Sequence, residues 1–493
     1  MIIFVQGPND RKRIDIGLND KLCNKIKEIF KIEKFSMSFD QKNTKVIDIN
    51  KTPQDLNLYK GIILYIHYDI IKKDIKREKD KFMCSHEVNA MCPNCAPLDP
   101  WDEKYYKDKK IKYLSFGSYK EMCKKNNTEI KMENYTSTVC KDHSKKTRCV
   151  NCEEKDIYLT PQIYRMVDHI EFDDAVIVEN FIKQWRDSKK QYFGILVGKY
   201  KSYDRSPLGL KAVVSGIWIP EQENYPDGFV IKENLDDDFL LHSNLSFLGM
   251  IYTDLIFDKQ IMSKRNEKNY FLSSLEIEFI AKMQFMFPYM ENNILFNSRF
   301  VTCLISANEY GDIEINEYQV SSQCMALTRS QFILPTNNSF FYTKKNVFYK
   351  EIQDDSLVTT KADKILPSEY FIIKLTSGTK QNPIFKNNSY ISNIFTNQKM
   401  ADYFEQQFTF EKFSNFSLLM KIKDRVSDFN RLLKCIVEDD KKYFERFTRH
   451  EDYKNILESL TKFHKVIWTC EACTFINEHS IHACEVCGTP KTT

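Results

Sequence analysis

Cysteine and histidine residues fall into three short clusters whose spacing suits a tetrahedral metal ion. The chain has fifteen cysteines, and ten of them lie in these clusters. A Cys-x2-Cys turn brings two sulfur atoms to one ion, and four protein ligands close the site to substrate. We therefore expect three structural zinc ions that stabilise folding. The predicted ligands are Cys84, His86, Cys92 and Cys95, then Cys140, His143, Cys149 and Cys152, and finally Cys470, Cys473, Cys484 and Cys487.

The last cluster belongs to a pattern typical of a small zinc ribbon. Residues 468–477 read Trp-x-Cys-x2-Cys-x3-Asn, and a second Cys-x2-Cys follows at 484–487. About thirty residues bury too little apolar surface to fold without the metal. The segment resembles ribbons of the Ran-binding-protein type, some of which bind ubiquitin and others RNA. In the ubiquitin-binding ribbons a Thr-Phe pair follows the second cysteine and an apolar residue precedes the fourth; here they are Thr474, Phe475 and Val486.

The ribbon has two other interpretations. In one, Phe475 only packs the ribbon interior; because zinc and Trp468 already fill that interior, we expect Phe475 to contact a partner. In the other, the chain is a zinc-finger protein whose ribbon binds RNA through arginine, asparagine and a stacking aromatic side chain. The ribbon contains no arginine, so ubiquitin is the favoured ligand.

Residues between 245 and 276 could belong to the active site of a zinc hydrolase. Residues 245–255 predict a buried strand with a polar end, and residues 271–276 open a helix. This order resembles the MPN (JAMM) fold of zinc isopeptidases, in which the strand end and a later residue supply the zinc ligands. The matching positions are Tyr252, Asp254 and Glu276. A tyrosine phenol, with a pKa of about 10, is a poor zinc ligand at neutral pH, so no strong catalytic zinc site is expected.

The general base of that fold is also missing. It precedes a Gly-x-x-x-Gly strand, here residues 194–198, and its position holds Gln191. An amide cannot take a proton from water. We therefore predict no enzymatic activity, against the alternative of a working MPN-type deubiquitinase, although Asp254 and Glu276 could still hold a hard cation. Ser273-x-x-Glu276 also fits an ordinary helix capping box that needs no such family.

Composition indicates a cytosolic or nuclear protein of three or more domains. The length is 493 residues, 42% are hydrophobic, and 36 Phe and 26 Tyr can build real cores. The formal net charge is only +4, which does not favour a general nucleic-acid role. No apolar run is long enough to span a bilayer and no signal peptide precedes the first strand. In such a compartment fifteen cysteines indicate metal binding, not disulfides.

Periodicity predicts regular elements along most of the chain. In the first 80 residues we expect strands near 1–5, 11–16, 45–49 and 61–67 and one helix near 22–30, the pattern of a ubiquitin-like β-grasp. Ile177, Phe181 and Trp185 mark one face of an amphipathic helix. Further strands are predicted at 193–197, 212–219, 300–306 and 311–320, and further helices near 402–408 and 414–447. The isolated residues His169, His242 and His450 are taken as structural or exposed.

Six stretches resemble the nuclear protein localization protein 4 family. The resemblance is strongest over roughly residues 84–330, whereas residues 1–80 match by the order of elements alone. The stretches are residues 92–102, 111–116, 164–172, 206–214, 253–255 and 271–276.

The resemblance implies a multidomain α+β fold. Its expected parts are a ubiquitin-like β-grasp domain, a tandem zinc-finger region, a catalytically inactive MPN domain, an α+β C-terminal domain and a ubiquitin-binding zinc ribbon. These parts are expected at residues 1–80, 81–160, 161–335, 336–460 and 462–493 respectively.

It also implies an adaptor function without catalysis. Members of the family pair with ubiquitin fusion degradation protein 1 and dock on the AAA unfoldase valosin-containing protein. They bring it polyubiquitinated proteins for unfolding and proteasomal degradation, including ER-associated degradation. The implied location is the cytoplasm and nucleus, with peripheral association with the ER and nuclear envelope through these partners only. No nucleic-acid partner is expected.

Overall fold

The computed structural model divides the chain into two compact units, residues 1–99 and 100–493. Within the described part of the chain, no helix is both long enough and apolar enough to cross a membrane. The described residues are 2–6, 11–17, 20–30, 35–39, 46–49, 51–56, 58–59, 61–67, 74–77, 79, 82–87, 90–130, 132–133, 135, 156–241, 243–258, 260–262, 271–291, 294–344, 346–353, 356–362, 364–392, 397–404, 409–461, 467–478 and 483–490.

The first unit contains a five-stranded mixed sheet with one helix packed on it. Its elements are β1 (Ile2–Gln6), β2 (Arg11–Asp15), α1 (Leu22–Phe30), β3 (Ser36–Ser38), β4 (Val46–Ile47) and β5 (Ile63–His67). The strand order is β2-β1-β5-β3-β4, and β1 and β5 run parallel. Ile3 and Val5 alternate into the core, where they meet Leu22 and Ile26 of α1. The sequence gives no signal for β3, because Met37 is its single apolar residue.

The second unit opens with short elements that lead into its main sheet. In chain order they are α2 (Glu103–Asp108), β6 (Leu114–Ser115), α3 (Phe116–Lys125), β7 (Ile157–Tyr158), β8 (Tyr164–Arg165), β9 (His169–Phe172) and α4 (Ala175–Ser188). The middle of the unit comprises β10 (Phe193–Tyr203), β11 (Gly209–Trp218), β12 (Gln222–Tyr225), β13 (Gly228–Ile231), β14 (Ser246–Asp254), β15 (Ile256–Asp258), β16 (Gln260–Met262), α5 (Ser274–Met286), β17 (Tyr289–Glu291), β18 (Ile294–Asn297), β19 (Val301–Ala307), β20 (Ile313–Val320) and α6 (Ser322–Arg329).

The remainder of the unit alternates short strands with short helices. The strands are β21 (Ile333–Leu334), β22 (Phe340–Thr343), β23 (Val347–Gln353), β24 (Ser356–Lys361), β25 (Ile365–Pro367), β26 (Ile372–Lys374) and β27 (Ser377–Thr379). The helices are α7 (Asn397–Phe404), α8 (Phe410–Phe413), α9 (Phe416–Ile422), α10 (Phe429–Val437), α11 (Lys441–Phe447) and α12 (Glu451–Thr461), and the chain then forms β28 (Ile467–Thr469) and β29 (Ile476–Glu478). The helical stretch predicted at 414–447 is therefore three helices, each begun by its own Asn or Asp cap.

The core of the second unit is an eight-stranded sheet in the order β26-β20-β19-β14-β10-β11-β9-β27. One face packs against α4, through Ile177, Phe181 and Trp185 as the sequence predicts. Side chains on the opposite face, such as Ile195 and Met250, belong to the cluster that includes α5 and α6. Helices on both faces explain why the central strands read as continuous apolar runs.

The segment expected as a separate domain at 336–460 shares this sheet and core. Its strands β26 and β27 form the two edges of the sheet, and one apolar cluster extends from Ile157 to Ile456. Helix α9 lies so close to β11 that a Cβ on Gly216 would stand 2.3 Å from the ring of Phe416. The expected zinc region at 81–160 is also divided, because its first cluster lies in the first unit and β7 pairs with β23.

Two of the family-like stretches meet beside this sheet. Ser115 and Ser118 both donate hydrogen bonds to the carbonyl oxygen of Pro207, at 2.5 Å and 2.7 Å. Phe116 packs with Tyr164 and Met166 in a separate small core. These contacts hold the start of α3 against the segment that leads into β11.

Substituting Gly216 tests whether α9 is part of the main core. We expect Gly216→Ala to lower the free energy of unfolding of the second unit by about 1–3 kcal/mol, because the new methyl group must displace the Phe416 ring. Gly228→Ala is the matched control, since a Cβ there meets nothing within 4 Å. Urea unfolding followed by tyrosine and tryptophan fluorescence measures both. Equal midpoints for the two variants would contradict the close packing.

Candidate metal centres and binding surfaces

The first cysteine cluster has the geometry of a tetrahedral zinc site. The ligand atoms of Cys84, His86, Cys92 and Cys95 all lie within 4.8 Å of one another. The Sγ atoms of Cys84 and Cys92 are 3.6 Å apart, and those of Cys92 and Cys95 are 3.8 Å apart. Zn–S bonds of about 2.3 Å place tetrahedral sulfur atoms about 3.8 Å apart. The donor set therefore fits zinc without rearrangement.

Backbone and side-chain hydrogen bonds hold this cluster in shape. Arg77 donates to the carbonyl oxygen of Pro93, inside the Cys-x2-Cys turn, and to that of Ala96, directly after it. Desolvation raises the pKa of Cys92, but hydrogen bonds from the backbone of Asn94 and Cys95 and from the Cys84 thiol lower it to about 6. A thiolate is the form that binds metal. Sequence reasoning missed Arg77, whose role depends on carbonyl groups that no spacing reveals.

The second predicted cluster, Cys140, His143, Cys149 and Cys152, lies outside the described residues. Its ligand set stays a prediction.

The C-terminal cluster forms two matching turns. The ligand atoms of Cys470, Cys473, Cys484 and Cys487 lie within 4.8 Å of one another, and β28 and β29 pair antiparallel beside them. In the first turn the Thr474 N–H donates to the carbonyl oxygen of Cys470 at 2.8 Å. In the second the Gly488 N–H donates to that of Cys484, also at 2.8 Å.

Thr474 and Gly488 thus occupy equivalent positions, and both have positive φ angles, 58° and 71°. Glycine adopts this conformation freely, whereas a β-branched residue does so at a cost of about 1–3 kcal/mol. Phe475 next to it is 41% exposed and Val486 is 64% exposed. Thr474, Phe475 and Val486 are thus accessible at the positions where the sequence predicts ubiquitin contact, and that role stays a prediction.

The four positions matched to isopeptidase residues converge on one cleft. Gln191, Tyr252, Asp254 and Glu276 line a cavity of about 330 Å³ in the second unit. Strand β14 brings Tyr252 and Asp254, the residues just before β10 bring Gln191, and the first turn of α5 brings Glu276. The apolar side chains of Leu275, Phe229 and Phe279 complete the lining.

Hydrogen bonds to the backbone and to Thr253 fully occupy the Gln191 amide. Its Nε2 donates to the carbonyl oxygens of Pro226 and Leu255, both at 2.7 Å. Its Oε1 accepts from Thr253 Oγ1 at 2.7 Å and from the Leu255 N–H at 3.2 Å. The side chain is buried. Gln191 therefore fastens the end of β14 to the turn before β13, a role that needs an amide with both donors and acceptors.

Glu276 is also engaged in structure. Its Oε2 accepts from the Ser273 N–H at 2.9 Å and Oγ at 2.7 Å, which completes a capping box on α5. Its Oε1 accepts from the Tyr252 hydroxyl at 3.1 Å. Among the described residues the cleft carboxylates do not form a group of three potential metal ligands. The capping-box interpretation of this motif is confirmed.

The two isolated histidines that the structure describes have local partners. The His169 ring stacks on Tyr203 with ring centroids 5.0 Å apart, and its Nδ1 lies 2.8 Å from Thr376 Oγ1. Burial lowers the pKa of His169. His450 Nδ1 accepts a hydrogen bond from the Asp452 N–H at the start of α12. Each has a structural contact, and His242 lies outside the described residues.

Sequence comparisons place these features in one family. The profile of the NPL4 family matches residues 192–490, and that of the NPL4 family putative zinc binding region matches residues 67–189. The chain is 33% identical over 423 residues to nuclear protein localization protein 4 of Saccharomyces cerevisiae, an alignment that covers 75% of this chain and 72% of that protein. The protein of the same name from Scheffersomyces stipitis is 31% identical over 445 residues, covering 79% and 75%.

The protein of that name from Yarrowia lipolytica is 32% identical over 425 residues, covering 75% of each chain. The family profile spans more than half of the chain, and the relatives align over most of their own length. Both findings agree with the family predicted from the sequence motifs. The chain therefore belongs to the NPL4 family.

Proposed function

We propose that this chain is a non-catalytic adaptor that binds polyubiquitinated proteins. Together with ubiquitin fusion degradation protein 1, it delivers them to the AAA unfoldase valosin-containing protein for unfolding and proteasomal degradation, including ER-associated degradation. It acts in the cytoplasm and nucleus and reaches the ER membrane through these partners. The exposed Phe475 beside the strained Thr474 carries the ubiquitin-binding part of the proposal. Family membership supports the adaptor part.

The architecture supports a division of labour along the chain. The five-stranded sheet with strand order β2-β1-β5-β3-β4 and one helix is the arrangement of a ubiquitin-like β-grasp, which we assign to docking on the ATPase. We assign the eight-stranded sheet to a degenerate MPN domain that serves as a scaffold. The terminal zinc ribbon adds a second, weak ubiquitin contact, and linking weak contacts in one chain raises avidity for long ubiquitin chains.

The cleft supports the non-catalytic assignment. Hydrolysis at a zinc site needs an open metal with a bound water and a base to deprotonate it. The Glu276 carboxylate accepts hydrogen bonds at the helix cap and from Tyr252, and the Gln191 amide is hydrogen-bonded to backbone groups. These side chains hold the scaffold together at the positions where an isopeptidase would hold zinc and a base.

The two cysteine clusters that the structure describes, together with the predicted cluster at residues 140–152, lead us to expect three zinc ions per chain. Elemental analysis of the purified protein measures the stoichiometry. Cys92→Ser and Cys484→Ser should each lose one ion, because three ligands hold zinc far more weakly than four. Cys123→Ala, at a buried cysteine outside the clusters, is the control and should lose none. Fewer than two zinc ions in the unmodified chain would contradict the assignment.

Restoring the catalytic carboxylate should damage the fold instead of creating an enzyme. Gln191→Glu places an acid against the carbonyl oxygens of Pro226 and Leu255, and we expect a loss of about 2–4 kcal/mol at pH 7. Burial raises the pKa of the introduced acid above its unfolded value. The loss is therefore smallest below about pH 4, where the protonated acid still donates one hydrogen bond in place of two, and grows as pH rises toward the folded pKa.

Thermal unfolding between pH 4 and 8 measures this loss. Gln331→Glu, the same change at an exposed position, is the control and should stay within about 0.5 kcal/mol of the parent. Ubiquitin-chain cleavage by the unmodified chain with zinc would overturn the non-catalytic assignment, and cleavage by Gln191→Glu would contradict the prediction for that variant.

The ribbon gives the experiment that tests the proposed function. Capture of polyubiquitin by the full chain should weaken about tenfold in Phe475→Ala, because a central apolar anchor is lost. Thr474→Gly should weaken capture as well, yet stabilise the ribbon against chelator, since glycine relieves the positive-φ strain. Glu471→Ala, an exposed change in the same ribbon, is the control. Unchanged capture by both test variants, or binding of RNA in preference to polyubiquitin, would contradict the proposal.

A further inference from the structure

A small sheet in the second unit is apolar on both of its faces. Strands β21, β22 and β25 form an antiparallel sheet in the order β21-β22-β25. One face carries Ile333, Phe341 and Leu366, which are buried in the main core. Side chains alternate along a strand, so the next position on each strand points to the opposite face. Those positions are Leu334, Tyr342 and Ile365.

Strand register places these three residues in one row. Leu334 pairs with Tyr342, and Tyr342 pairs with Ile365. They are 40%, 48% and 49% exposed respectively. We call them the outer row. An antiparallel sheet with one solvated face normally turns polar side chains to water. Three large apolar side chains side by side in solvent indicate a surface that a partner covers.

Further apolar side chains extend the outer row along the strands. Phe340 and Pro367 form the next register pair on the same face. The Phe340 and Tyr342 rings are in edge contact, with centroids 5.5 Å apart. The apolar surface is therefore continuous over two residue pairs, and does not consist of single scattered side chains.

Two exposed lysines, Lys344 and Lys364, lie on one side of the outer row, along the strands from Tyr342 and Ile365. The exposed Glu369 follows Pro367 on the other side. Two backbone hydrogen bonds fix their place there, from the Thr343 N–H to the Lys364 carbonyl and from the Lys344 N–H to the Phe332 carbonyl, both 2.9 Å. A partner of negative charge fits this setting.

We propose that the outer row is the docking site for an acidic amphipathic helix of a partner protein. Neighbouring strands lie about 4.8 Å apart, so Leu334 and Ile365 are separated by about 10 Å across the sheet. Residues i and i+7 of a helix are about 10.5 Å apart, and i+3 or i+4 lies between them. A helix laid across the strands thus places one apolar side chain over each member of the row, with its acidic flank beside Lys344 and Lys364.

This site goes beyond the proposed ubiquitin adaptor function. It lies on strands that contribute neither to the cleft nor to the ribbon. The two lysines on its side distinguish it from the cleft, which is lined by Asp227, Asp254 and Glu276.

A designed peptide tests the proposal on the full chain. The probe is a fluorescein-labelled helix of 18 residues with Leu at i, i+3, i+4 and i+7 and Glu on the remaining face, and fluorescence anisotropy reports its binding. We expect saturable binding below about 1 mM. Tyr342→Glu should weaken binding at least about tenfold by removing the central contact and repelling the acidic flank. Lys344→Glu should weaken it about threefold to tenfold.

Val358→Glu is the matched control, because Val358 on β24 is 36% exposed and lies outside the outer row. The thermal unfolding of each variant shows whether it folds, and Tyr342→Ser provides a second variant that adds no charge. The proposal is overturned if the peptide fails to saturate by 1 mM or binds Tyr342→Glu as tightly as the parent. It is also overturned if a peptide with Lys in place of Glu binds equally well, or if Tyr342→Glu abolishes polyubiquitin capture, which would assign the face to ubiquitin.

Discussion

Pairing of β14 with its two neighbours is the constraint on which the second unit depends. Strand β14 pairs antiparallel with β10 and parallel with β19, at the centre of the eight-stranded sheet. Its side chains enter the apolar clusters on both faces, so the strand cannot shift register without moving a buried set of residues toward water. The end of this strand is therefore fixed in space. Tyr252 and Asp254 stand at that end, which is why the cleft forms there.

The polar side chains at the cleft stabilise the fold around it. The Gln191 amide makes four hydrogen bonds within the chain, two as donor and two as acceptor. Each bond also ties down a loop at the edge of the sheet. Loss of the Gln191 amide would be costly, because it would leave the carbonyl group of the buried Leu255 without this hydrogen bond.

The two described cysteine clusters belong to segments that lack an apolar core. The ribbon and the first cluster are too short to bury a core of their own, so metal ligation replaces apolar burial as the source of stability. This leaves apolar side chains such as Phe475 and Val486 on the surface, where they are available for contact. The small sheet of β21, β22 and β25 can expose Leu334, Tyr342 and Ile365 for the opposite reason, because its inner face is buried in the main core and supplies the stability.

The sequence by itself determined the local features. Cysteine spacing identified the first and last ligand sets, whose atoms converge as expected, and apolar periodicity placed α1, α4 and most central strands. The capping box at Ser273 was readable because its residues are three apart. Motif residues also identified the family. In each case the signal lies within about ten residues, the range over which helical and strand periods and ligand turns act.

Tertiary structure alone decided the rest. No local pattern shows that β26 and β27, of three residues each, close the two edges of a sheet begun two hundred residues earlier, because strands that short carry no period. No local pattern shows the close approach of Phe416 to Gly216 or the exposure of the outer row on β21, β22 and β25 either. Which face of a short strand meets water is set by what packs on its other face, and that partner is chosen only when the whole chain folds.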